Sequence, residues 1–153
     1  MRTGSGALSL RRSNGRTGPY DSYRATLPWH GKMTSDRPSR MVHETLLLER
    51  TAGDKELLME LIDIFMESCP LMLEEIRESV GTKDSGRLHK AAHRLKGSMS
   101  NFGAEPAVKA AHKLEMIGRN GESSGAEEAF TELESRLADL RTDLEWVKRR
   151  IQV

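Results

Sequence analysis

Phe130, Leu133, Leu137, Leu140, Leu144, Val147 and Ile151 follow one another at alternating steps of three and four residues. That spacing lies along one face of an α-helix, and a stripe this long has to be covered by other apolar faces. The chain therefore predicts a helical bundle. Only three Phe, two Tyr and two Trp occur among its 153 residues, so the core must come mostly from Leu, Ile, Met and Ala, a palette that favours helices over sheets. There is no internal repeat and no strand-like alternation of useful length.

Three long patterns from residue 55 onward supply the partners of that seam. A short helical segment, "HETLLLERTAGD", precedes them and stops at Gly53, and Asp54 has the character of an N-cap for the next helix. From residue 55 to about 80, Leu58, Leu61, Phe65, Met72 and Ile76 keep an apolar stripe, reinforced by Leu57, Ile62, Cys69 and Leu73. Pro70 falls inside this stripe and should kink or break the helix, and Gly81 should end it. Asp84 caps a helix running to about Ser100, "NFG" at 101–103 turns the chain, and Pro106 suits the first turn of a helix ending at Gly118. In the loop that follows, Ser124 and Glu127 have capping-box spacing. The expected fold is all-α: an antiparallel up-down four-helix bundle over residues 41–153, with a short additional N-terminal helix.

Residues 1–40 differ in kind. They hold five Gly, six Ser and three Pro without apolar periodicity, and eight Lys or Arg against two Asp, a net charge of +6. This stretch reads as a disordered basic arm, in which Tyr20, Tyr23 and Trp29 form a candidate docking motif. Met33 and Met41 lie near the start of the patterned region, so an over-extended start is one explanation for the arm. Residues 41–153 carry a net charge of −5. A basic arm on an acidic body lacks the positive folded face of a nucleic-acid-binding protein. No run approaches the roughly 18 apolar residues of a membrane span, and Arg11-Arg12 is not followed by the apolar stretch of an export signal. A single cysteine, Cys69, excludes an internal disulfide and cysteine-rich zinc sites, and points to a reducing, cytoplasmic setting.

The chemistry concentrates in "AAHRLKGSMSNFGA", residues 91–104. With Leu88 at zero on a wheel of about 100° per residue, Ala92, Leu95 and Met99 fall within roughly 40° of it and form the core face. His93 falls near 140°, with His89 near 100°, Lys96 near 80°, Ser100 near 120° and Gly97 near 180°. An outward neutral imidazole is a nucleophile near pH 7, and a cation at i+3 can neutralise a phosphoryl group transferred to it. Gly97 costs the helix roughly 1 kcal/mol relative to Ala, which makes sense if another surface must approach His93 closely.

These residues resemble the motif of the histidine-containing phosphotransfer (HPt) domain family, broadly A-H-x-L-K-G followed by a Gly-Ala turn. Ala92, His93, Leu95, Lys96, Gly97, Gly103 and Ala104 fit it, and the likeness extends over about residues 43–140. The resemblance implies a phosphorelay intermediate: His93 accepts a phosphoryl group from a receiver-domain aspartate and passes it to another receiver. Lys96 would assist electrostatically, and His89, Gly97 and Ser100 would lie on the docking surface. The implied partners are response-regulator receiver domains and a hybrid histidine kinase, met by a monomer. The family has no nucleotide site, and no G-x-x-x-x-G-K-[ST] occurs here, so autokinase activity is not expected. No cofactor of its own is implied; Mg²⁺ would come with the receiver. One alternative is an HPt-like adaptor that binds a receiver or sensor without phosphotransfer, and another is a piece of a larger hybrid kinase. His89 and His93 are spaced as an i,i+4 metal pair, but no third ligand is evident, so no metal site is expected.

Overall fold

The computed structural model describes residues 41–152, and every described element is helical. The basic arm over 1–40, including Tyr20, Tyr23 and Trp29, lies outside the described residues. The helices are α1 (Glu44–Arg50), α2 (Lys55–Thr82), α3 (Ser85–Ser100), α4 (Glu105–Arg119) and α5 (Ala126–Ile151). Both α2 and α4 pack against α3 and α5, so the four long helices close a ring in chain order. Short connections between helices of this length force an up-down arrangement.

The caps explain where the helices begin. The Asp54 carboxylate accepts from the Leu57 amide at 3.0 Å, and the Asp84 carboxylate accepts from the Arg87 amide at 3.1 Å. Each satisfies one of the first-turn donors that a helix leaves without a partner. Ser124 does not cap α5 as its spacing suggested. Gly125, at φ +78°, holds the N-cap position without a side-chain bond, and the Ala126 amide reaches the Ser123 carbonyl. Nor does Gly81 end α2, which runs to Thr82 and closes on Lys83 in the left-handed region.

Pro70 does not break α2. It is itself buried, and Ile62 and Phe65 before it and Leu73 and Ile76 after it are all buried in the core, so the helix is anchored on both sides of the proline. The apolar stripe of α2 is wider than the core it serves: Leu57 and Leu61, expected inside, remain 41% and 39% exposed.

All seven seam residues of α5 are buried. The far end of the seam is covered by the same chain. Asp143, itself buried, accepts from the amides of Met41 and Val42, at 2.6 and 3.3 Å, and Arg150 pairs with Glu44. Val42 and Leu47 are buried in the same core. The extra length of α5 thus closes the bundle beneath α1.

Candidate functional site

Leu88, Ala91, Ala92, Leu95 and Met99 seat α3 in the core, and His93 projects from the opposite side with its side chain 64% exposed. The core face read from the wheel is the one observed. Below α3, Phe102 is buried against Phe65, ring to edge with centroids 5.3 Å apart, and fixes the turn into α4.

Across from His93, α4 supplies a residue that sequence reading missed. Glu115 is buried, with one carboxylate oxygen 2.7 Å from His93 Nδ1 and the other 2.6 Å from Lys96 Nζ and 3.3 Å from His112 Nδ1. Burial is the largest single influence on this carboxyl and disfavours its charge. Hydrogen bonds from Lys96, His93 and His112, together with the Lys96 charge, outweigh that and lower its pKa to about 2. Ionised, the carboxylate can only accept, so each imidazole Nδ1 that meets it carries the proton. In the neutral imidazole of His93 the nitrogen left with a lone pair is then Nε2.

A close approach of α3 and α4 makes this possible. A Cβ on Gly118 would lie 2.6 Å from the His89 amide nitrogen, 2.7 Å from the Ser85 carbonyl oxygen and 2.9 Å from His89 Cα. Only glycine permits the two backbones to come so near.

The other expected site residues are placed as follows. Lys96 is mostly covered and docked on Glu115, beside the histidine. His89 is half-buried and turned toward α4, its Nδ1 3.3 Å from the Glu115 carbonyl oxygen and its ring centroid 6.4 Å from that of His93. Ser100 is exposed but returns its hydroxyl to the Lys96 carbonyl at 2.9 Å, so it does not join the cluster. Gly97 is exposed, and a Cβ there would meet nothing within 4 Å. His112 on α4 is exposed and also belongs to the Glu115 group. Among the described residues, no group of three or more His, Cys, Asp or Glu is disposed to hold a metal ion, and no helix is long and apolar enough to cross a membrane.

The sequence and the fold both have counterparts among known proteins. The phosphorelay intermediate protein rdeA of Dictyostelium discoideum is 28% identical over 103 residues, which are 67% of this chain and 41% of that protein. The chain thus matches about two fifths of that relative's length. In fold it is similar to the crystal structure of histidine-containing phosphotransfer protein B (HptB) from Pseudomonas aeruginosa PAO1, with a TM-score of 0.67 at 22% identity, covering 73% of this chain and 97% of that one. Residues 60–143 match the family model of the Hpt domain. That span starts in the first turns of α2, takes in His93, Lys96 and Glu115, and ends within α5: the chain belongs to the Hpt domain family.

Proposed function

We propose that this chain is a phosphorelay intermediate that receives a phosphoryl group on His93 from a receiver-domain aspartate and hands it to another receiver. The observation that carries the reading is His93 Nδ1 held on the Glu115 carboxylate at 2.7 Å on an exposed side chain, so that in the neutral imidazole Nε2 is the nitrogen with the lone pair.

In the forward step Nε2 forms a bond to phosphorus while the bond from phosphorus to the aspartyl oxygen breaks, and the aspartate leaves as a carboxylate. The imidazole keeps its Nδ1 proton and becomes positively charged. Glu115 lies against that proton and stabilises the charge as it develops, in the way a buried carboxylate supports a catalytic histidine. Lys96 already rests on Glu115, and its remaining N–H groups are available to the phosphoryl oxygens. Gly97 leaves the surface beside His93 clear for the receiver. Transfer onward is the same step in reverse on a second aspartate.

Magnesium, where the reaction uses it, belongs to the receiver's acidic pocket. The chain works as a cytoplasmic monomer between a hybrid histidine kinase and its regulators, with no kinase activity of its own. Nothing resembling a P-loop occurs in the sequence.

The test is incubation with a receiver charged by acetyl phosphate. Label should appear on the wild-type chain, survive alkali, be lost in acid and be absent from His93→Gln. Failure of transfer to or from any cognate receiver overturns the reading. Lys96→Ala should slow transfer more than it weakens binding, and an unchanged rate removes Lys96 from the mechanism.

A further inference from the structure

On the side of α3 away from Glu115, a groove of about 510 Å³ opens between α1, α2 and the end of α3. Leu61, Ile64 and Phe65 line it from α2, with Ser98 and Asn101 across from them. Leu61 is 39% exposed and Ile64 55% exposed, and Leu57 and Leu71 continue the apolar strip along α2. Beside the strip on the same helix lie Glu56, Glu60 and Glu67, all exposed. The groove is thus largely apolar, with Arg50 on its rim at the end of α1 and the acidic residues along α2.

The sequence contains a segment with the complementary character. Residues 16–32 carry Tyr20, Tyr23, Leu27 and Trp29 among Arg16, Arg24 and Lys32, with Asp21 as the one acid. The chain that carries this segment joins the bundle at a fixed point, because Asp143 binds the amides of Met41 and Val42. From Met41 to Arg50, at the edge of the groove, the path through α1 is at most about 20 Å. A flexible tether of twelve residues, the separation of Trp29 from Met41, would have a root-mean-square span of about 20 Å as well. A tether matched to its span gives an effective concentration in the millimolar range, enough for a weak site to be filled. We propose that the aromatic segment Tyr20–Trp29 of this same chain occupies the α2 groove, held by its apolar side chains and by Arg24 and Lys32 against the acidic flank.

A consequence, resting on the phosphorelay reading above, is competition with the receiver. A standard interface covers about 800 Å² on each partner, a patch of roughly 16 Å radius. Ser98 and Asn101 lie only about 8 and 12 Å along α3 from His93, so a receiver centred on His93 overlaps the groove.

A nitroxide attached at Ser22→Cys in the full chain locates the arm. Cys69 does not compete for the label, since it is buried and burial pushes its thiol up to about 12. The expected result is amide broadening at Leu61, Ile64, Ser98 and Asn101 at least fivefold greater than at Lys109 and Lys113 on α4. It should be lost on combining Tyr20→Ser, Tyr23→Ser and Trp29→Ser, and lost again in Ile64→Gln. Even broadening over the whole surface, or broadening concentrated on another face, overturns the proposal. Broadening seen only between a labelled and an unlabelled chain overturns it too, by seating a second copy in the groove. The triple variant should also accept phosphate from a receiver severalfold faster; a wild-type rate overturns the competition. Should no receiver transfer at all, the phosphorelay reading fails while the broadening still decides the occupant of the groove.

Discussion

Helix α3 meets two unlike neighbours. Toward α4 the contact is between backbones, with Gly118 pressed on Ser85 and His89 and with Ala107, Ala110 and Ala111 buried along α4. Toward α2 the contact is between large side chains and ion pairs: Phe65 on Phe102 in the turn after α3, and Arg94 and Arg87 on Glu75 and Glu78. The close side lets one short carboxylate reach beneath a histidine on the facing helix. The wide side cannot fill the space between its elements and leaves an apolar groove. The proposed chemistry uses the tight side, and the proposed docking surface uses the wide one.

The largest effect that would sharpen this contrast is on the wide side. Phe102→Ala should cost about 3–5 kcal/mol of stability through the lost ring and the cavity beneath α3. A urea titration measures it. Transfer by the fraction that remains folded should stay near the wild-type rate, and a collapse of that rate would break the separation of the two sides.

Next is the Glu115 carboxyl. Its folded-state pKa is depressed from 4.5 to about 2, so its contribution is fully present above the ordinary value and is lost as pH falls from about 5 toward 2. The shift corresponds to at most about 3 kcal/mol. Glu115→Gln should unfold more easily than wild type at pH 7, and the two urea midpoints should converge as the solution is acidified. A gap that is constant with pH would mean that the charge is not what matters. The variant should also transfer phosphate more slowly, because an amide cannot balance the imidazolium that forms.

Two glycines divide the same way and have smaller effects. Gly118→Ala places a methyl against backbone atoms that cannot turn aside, at a cost of about 1–3 kcal/mol. Because it pushes α4 from α3, it should slow transfer as well as lower the thermal midpoint. Gly97→Ala meets open space and should stabilise the helix by about 1 kcal/mol, seen as a raised thermal midpoint, while transfer to a receiver slows. Loss of stability in that variant would show that Gly97 serves the fold rather than a partner.

Much of this fold could be read before any coordinates. The α5 seam, the Asp54 and Asp84 caps and the core face Leu88–Ala92–Leu95–Met99 depend on spacings within one helix, and periodicity reports those directly. His93 was legible in the same way, because its outward position follows from the residues that point inward. The errors arose where more than one helix decides the outcome. Leu57 and Leu61 keep the helical period yet face a gap, and Ser124 has the right spacing for a cap that Gly125 takes over through its backbone angle.

By itself, the sequence determined a ring of four amphipathic helices with a histidine, a cation and a missing side chain on one outer face. Only the tertiary structure decided that Glu115, 22 residues away on another helix, lies under His93 and engages its Nδ1. No periodicity carries that information. It depends on how near α3 and α4 approach, which a single side chain's absence at Gly118 allows, and a carboxylate becomes the histidine's partner only at hydrogen-bonding distance.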